Sequence, residues 1–205
     1  MSAPAADDGP AGDARHHDRT SGDLHPRSLP PGVPVHACPE GSPAVAGVTT
    51  TMPDNGSPTD LAVEASSRVR GRRTVAVAES LTGGLVSSAL AKAPAASEWF
   101  RGGLVAYSSE VKHDVLGVPP GPVVTADAAE AMADGVRKLL SADVAVAVTG
   151  VGGPGEQDGC PAGTVFIAVV TADTCRTEHH RLDGDPAKVC TEAVTATLTL
   201  LLATL

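Results

Sequence analysis

Ser80 and Lys112 are the two residues in this sequence whose types and settings suit a nucleophile and its base. Ser80 ends an apolar run and is followed by Leu81, Thr82, Gly83 and Gly84, within TVAVAESLTGGL at 74 to 85. A serine hydroxyl is a weak nucleophile until a base takes its proton. The histidines are poorly placed to act as that base, since four of the seven lie before residue 40, two are adjacent at 179 and 180, and His113 directly follows a lysine. That lysine, Lys112, is the natural candidate. As a base it must be neutral near pH 7, which asks its pKa to fall from about 10.4 to roughly 7 or 8 through desolvation or the positive end of a helix.

Both residues are placed by short elements. The alternation of valine and alanine before Glu79 predicts a strand. Leu85, Val86, Ala89 and Leu90 then have helical spacing, so a helix starts near Thr82 and ends at Pro94. Strand, glycine turn and helix start bring unpaired backbone N–H groups next to the serine hydroxyl, as phosphate binding or an oxyanion hole requires. The same glycines also suit a plain β-to-α turn with ordinary caps. Lys112 falls on the first turn of a helix from about 110 to 116, capped by Ser108 or Ser109, after a short strand at 103 to 107. The two side chains can approach only if both strands end on one edge of the sheet.

The remaining elements follow the same periodicities. Leu61, Ala62, Ala65 and Val69 predict a helix over 59–70, and Trp99 and Phe100 anchor a connector at 95–100. Residues 126–140 form the most amphipathic helix. Asp143 to Gly150 is a strand buried on both faces, and 163–171 with 175–182 form a hairpin. Asp185 caps a last helix whose final twelve residues carry no side-chain charge. Twelve residues are too few to span a bilayer, so that helix is expected to be buried or to meet a second copy. Strands alternating with helices, then a late hairpin, predict a three-layer α/β/α domain with a mixed, mostly parallel sheet.

Composition divides the chain near Thr59. Residues 1–58 hold ten of the seventeen prolines and no aromatic residue, and they are expected to form a disordered tail. That tail has neither the apolar stretch of a signal peptide nor the basic excess of a transit peptide. Residues 59–205 suffice for one core, filled mostly by alanine, valine and leucine because all four aromatic residues are shared among so many positions. A net charge of −9 with no long basic run argues against nucleic-acid binding. The four cysteines form no C-x-x-C pair, which suggests neither a zinc site nor a disulfide framework and fits reduced thiols in a cytoplasmic protein. His179 and His180, adjacent on a strand, face opposite sides and cannot share a metal. Gly150, Gly152 and Gly155 fit a dinucleotide fingerprint, but the chain after them leads to a strand, leaving no helix N-terminus for a pyrophosphate.

Four blocks together resemble the C-terminal domain of the CinA family, with its stand-alone PncC-like members: AESLTGG at 78 to 84, YSSEVK at 107 to 112 with LGV at 116 to 118, VTGVGGP at 148 to 154, and GTVF at 163 to 166. The similarity spans essentially residues 60 to 205. It implies a Ser/Lys amidohydrolase of pyridine nucleotide salvage that converts nicotinamide mononucleotide to nicotinate mononucleotide and ammonia, with no cofactor or metal. Carried over, the nucleophile is Ser80 and the base Lys112, with Tyr107 close to both. Backbone N–H groups near Thr82, Gly83 and Gly84 would hold the oxyanion, and the loop through Thr149, Gly150, Gly153 and Pro154 would contact ribose or phosphate. Strand alternation turns Glu79 away from Ser80, into a supporting role. The expected assembly is a homo-oligomer, a homodimer first, acting on a small molecule without nucleic acid or membrane. Where the family has arginines after the Gly-Asp that opens the last helix, this chain has Pro186, Lys188, Cys190 and Thr191. Two other readings compete: an S-x-x-K enzyme with Ser109 as nucleophile, which lacks the S-D-N and K-T-G partners, and a non-catalytic nucleotide- or partner-binding domain that has no need of a neutral lysine.

Overall fold

The computed structural model describes Met1, the backbone of residues 46–49, and residues 56–205. Most of the expected disordered tail therefore lies outside the described residues. Ala46–Thr49 nevertheless form strand β1, where the sequence reading expected none. Four residues are too few to show a period, and Val48 and Thr49 are β-branched, which suits pairing along an open strand edge.

Helix α1, Pro58–Val69, starts at a capping box. Ser57 Oγ accepts the Asp60 N–H and Asp60 accepts the Ser57 N–H, while Leu61, Ala62, Ala65 and Val69 are buried. Strand β2, Val75–Glu79, leads into α2, Leu85–Ala91, and the one-turn α3, Ala96–Trp99. Strand β3, Phe100–Val105, begins three residues earlier than its side chains suggest, because Gly102 and Gly103 have none to show a period. Helices α4, Ser109–Leu116, and α5, Ala126–Leu139, precede β4, Val144–Gly150. Strands β5, Thr164–Val170, and β6, Cys175–Arg181, form the hairpin, and α6, Pro186–Thr204, closes the chain behind its Asp185 cap.

The strands form one mixed sheet in the order β1-β6-β5-β4-β2-β3. The β1/β6, β2/β4 and β2/β3 pairings are parallel, and β5 is antiparallel to both of its neighbours. Strand alternation sorts the core into two layers. Val75, Val77, Val146, Val148 and Ile167 pack with residues of α1, α2 and α6. Ala76, Ala78, Ala145, Ala147 and Ala168 pack with residues of α4 and α5. Alanine on that second face lets the helices approach closely. Gly135 of α5 serves the same end: a Cβ there would lie 2.1 Å from the Leu116 carbonyl oxygen at the end of α4.

Among the described residues α6 is long and apolar enough, by length and composition, to cross a membrane. Its leucines at 198, 200, 201 and 202 are all buried, within the layer that holds α1, β4 and β5. The side chains that suggested a second copy against this helix are thus taken up inside the chain.

Candidate active site

β2, β3 and β4 run parallel, so their carboxyl ends share one edge of the sheet, where open α/β sheets hold their ligands. The chain leaving β2 carries Ser80, the chain leaving β3 leads to Lys112, and the chain leaving β4 forms the loop 151–163. Backbone bonds tie these exits together: Ser80 N–H donates to the Val148 carbonyl at 3.0 Å and Ala106 N–H to the Glu79 carbonyl at 2.8 Å.

Glu79 and Ser80 divide the two faces of the sheet between them. The Glu79 carboxylate is fully buried and caps the start of α2. It accepts the N–H groups of Gly84 at 3.0 Å, Val86 at 3.0 Å and Ser87 at 2.8 Å, and the hydroxyls of Thr82 at 2.7 Å and Ser87 at 2.6 Å. A helix N-terminus in need of acceptors and a carboxylate in need of donors complete one another. Alternation then directs Ser80 to the other face, that of α4 and α5. Ser80 is 8% exposed, and its hydroxyl makes no hydrogen bond among the described residues.

Lys112 lies on that same face. Helix α4 turns Lys112 and Leu116 inward, four residues apart, and Lys112 is only 1% exposed. Its Nζ donates to the Tyr107 carbonyl at 3.2 Å, and no carboxylate lies within ion-pairing distance among the described residues. Burial pushes the lysine pKa down, and the negative charge of Asp158 partly opposes the fall. Tyr107 thus comes to the site through its backbone, for the residue is 74% exposed. Ser109 is exposed on the first turn of α4.

The other expected contacts are redistributed. Gly83 N–H donates to the Ser80 carbonyl at 3.1 Å, and Gly84 N–H is held by Glu79. Gly84 has φ 102°, a left-handed conformation that favours glycine, so the pair shapes the turn. The N–H groups of Leu81 and Thr82 make no hydrogen bond among the described residues. The Thr82 and Thr149 hydroxyls are both engaged, the latter with the Val123 carbonyl at 2.8 Å. Gly150 serves packing, since a Cβ there would meet the Thr164 carbonyl oxygen at 2.4 Å. Gly153 and Pro154 lie in the loop after β4, joined by a cis peptide, with Pro154 exposed. That loop runs on into β5, so the dinucleotide reading of its glycines fails as the sequence indicates.

Two residues at this edge were given no contact or role by the sequence reading, which named Cys190 only as a departure from the family's arginines. Cys190 of α6 reaches the turn that carries Ser80, its thiol 3.2 Å from the Leu81 carbonyl oxygen and about 4.0 Å from where a Gly152 Cβ would lie. Burial raises its pKa, so the thiol form prevails. Asp158 accepts the N–H groups of Val123 at 2.7 Å and Val124 at 3.1 Å. The Asp158-Gly159 pair is a turn signal in sequence, but nothing there says what the carboxylate would grip. The adjacent histidines separate: His179 stacks on Phe166 with ring centroids 4.4 Å apart, and the buried His180 meets Glu178 at 3.0 Å.

A family model described as the CinA C-terminal domain matches residues 59–205. A CinA-like protein of Frankia casuarinae is 44% identical over 137 residues, covering 64% of this chain and 32% of that protein. A CinA-like protein of Geobacter sulfurreducens is 40% identical over 144 residues, covering 67% of this chain and 35% of the relative. The chain thus spans about a third of the length of these curated relatives. Among solved structures, a competence-damaged protein (CinA) superfamily protein from Escherichia coli superposes with a TM-score of 0.72 at 32% identity, covering 76% of this chain and 95% of that one. The competence damage-inducible protein A of Klebsiella pneumoniae gives a TM-score of 0.69 at 31% identity, covering 72% and 96%.

Proposed function

The chain belongs to the CinA C-terminal domain family, and from that premise we propose that it is an amidohydrolase that converts nicotinamide mononucleotide to nicotinate mononucleotide and ammonia. The observation that carries this reading is Lys112, a lysine 1% exposed, with its pKa lowered by burial, on the same sheet edge and the same face as Ser80. A buried lysine without a carboxylate partner is costly unless its neutral form is used. Base catalysis uses it.

In this reading Lys112 Nζ takes the proton of Ser80 Oγ as that oxygen bonds to the carboxamide carbon. The tetrahedral oxyanion is met by the free N–H groups of Leu81 and Thr82, in place of the glycine N–H groups that the sequence suggested. The proton passes from Lys112 to the departing nitrogen, the C–N bond breaks, and ammonia leaves. Water, deprotonated by Lys112, then cleaves the nicotinoyl ester and restores Ser80. Gly153 and Pro154 border the nucleotide. The reading asks for no metal or cofactor, and it keeps the expectation of a cytoplasmic homo-oligomer acting on a small molecule.

Ammonia release from nicotinamide mononucleotide by the purified chain is the test. Ser80→Ala and Lys112→Ala should each lower kcat by at least about a thousandfold while the fold is retained, and the double variant should be little worse, because the two act as a unit. Undiminished turnover by Ser80→Ala would overturn the assignment. Loss on Ser109→Ala alone would favour the S-x-x-K alternative, and no ammonia from the wild type would favour the non-catalytic one.

A further inference from the structure

The turn that leaves α1 sets two arginines side by side. Arg72 and Arg73 donate their backbone N–H groups to the same Val69 carbonyl, at 2.9 and 3.0 Å, and both residues are exposed. Neither guanidinium makes a hydrogen bond or an ion pair among the described residues. With Arg137, on the last turn of α5, they line a cavity of about 540 Å³ that is bordered by the start of β4, the tip of the β5–β6 hairpin and the end of α6. This is the amino edge of β2 and β4. Ser80 leaves β2 at the opposite edge, and the seven residues of β4, rising about 3.3 Å each, separate the two edges by about 20 Å.

The acids of the cavity leave these cations largely uncommitted. Asp143 is occupied by a clamp between strands: its Oδ2 accepts the Thr74 N–H and the Thr74 hydroxyl, each at 2.7 Å, and its own N–H donates to that hydroxyl oxygen at 3.0 Å. The Thr74 bonds hold its carboxyl below the ordinary carboxylate range, and the charges of Arg101 and Arg73 add to the effect. Asp173 is exposed at the hairpin tip, where the Thr171 hydroxyl accepts the N–H groups of Asp173 and Thr174 at 3.2 and 3.0 Å. Arg137 pairs with Asp134 at 3.1 Å, but Asp134 is shared with Lys138 at 2.6 Å. The Nε of Arg137 is buried and has no partner among the described residues. A buried donor without an acceptor is costly, and the planar fork of a guanidinium matches the oxygens of a phosphate. In a chain of net charge −9, three arginines on one concavity reverse the sign of the charge locally.

We propose that this cavity is a ligand site separate from the Ser80 edge, and that it takes a phosphate monoester of about nucleotide size. Arg72 and Arg73 supply two unpaired forks for the phosphate, and Arg137, held by Asp134, supplies a fixed one. The volume lies within the range of small-molecule sites. The inference does not depend on the reaction proposed for Ser80 and Lys112.

The test titrates the full chain, labelled for NMR, with inorganic phosphate, AMP and adenosine, and follows the backbone amides of residues 171–174. A local readout separates this cavity from any anion bound near Ser80. The hairpin amides should shift saturably with phosphate and with AMP but not with adenosine, and Arg73→Gln and Arg137→Gln should each weaken binding by at least about tenfold. Arg72 and Arg73 are exposed, so Arg72→Gln and Arg73→Gln decide the matter even if Arg137→Gln fails to fold. Tighter binding of AMP than of phosphate would show that the cavity also engages the nucleoside. The inference is overturned if the hairpin amides stay in place up to about 10 mM ligand. Shifts reproduced by potassium chloride at equal ionic strength, binding of adenosine as tight as that of AMP, or undiminished affinity in the folded arginine variants would overturn it equally.

Discussion

Glu79 and Ser80 are neighbours in sequence with opposite duties, one holding the turn together and the other left free at its surface. The Glu79 carboxylate satisfies three backbone N–H groups and two hydroxyls. Glu79→Ala should therefore destabilise the fold by on the order of 3 kcal/mol, since buried donors left without an acceptor carry their full desolvation cost. Denaturant unfolding would show it as a lower midpoint. Glu79→Gln keeps one acceptor oxygen and should lose less. If Glu79→Ala unfolds like the wild type, the cap contributes nothing. Much at this scale was legible in the sequence. Alternation over Val75–Glu79 separates Glu79 from Ser80, and a lysine at the start of a helix stands out when the histidines are misplaced. The grip of Asp158 was not legible, because it joins residues 34 and 35 apart in the chain through a loop that has no period.

At the scale of elements, what places Lys112 is the close approach of α4 to α5. Gly135 permits it: a Cβ at that position would meet the Leu116 carbonyl oxygen at 2.1 Å. Backbone must shift to admit it. Gly135→Ala, although alanine is the better helix former, should cost about 1–3 kcal/mol through overpacking, and it should lower turnover by displacing Lys112. Thermal unfolding and ammonia release together check this, and a stabilised, fully active variant would show that the contact relaxes freely. The periods of α1, α5 and β4 were readable because each buries a regular face. β1 and the start of β3 were not, since one is four residues long and the other contains two adjacent glycines. The role of α6 was legible only by half. Its apolar surface is real, but α1 on one side and the sheet on the other both need covering, and together they absorb the leucines.

For the molecule as a whole, the site residues and both apolar layers lie within residues 58–205. A chain beginning at Ser57, which keeps the capping box of α1, should fold and retain any turnover of the full chain within about twofold. Circular dichroism and the ammonia assay check it. An inactive or insoluble product would show that β1, which pairs along β6, is needed to close the sheet edge. The layered arrangement was legible because strands and helices alternate in the chain, whereas the order of the strands was not. Nothing in the sequence says that β4 lies between β2 and β5.

The chain has a single tryptophan and a single tyrosine, and the fold sends them to opposite environments. Trp99 is 1% exposed, with its indole N–H 3.2 Å from the Pro94 carbonyl oxygen, whereas Tyr107 is 74% exposed directly ahead of the helix that carries Lys112. Intrinsic fluorescence is therefore already labelled by position. Emission excited at the indole reports on the layer beneath α1 and α2, and the phenol reports on solvent at the mouth of the site. Since residues 1–58 contain no aromatic side chain, the two signals compare the full and shortened chains without any correction for the removed segment.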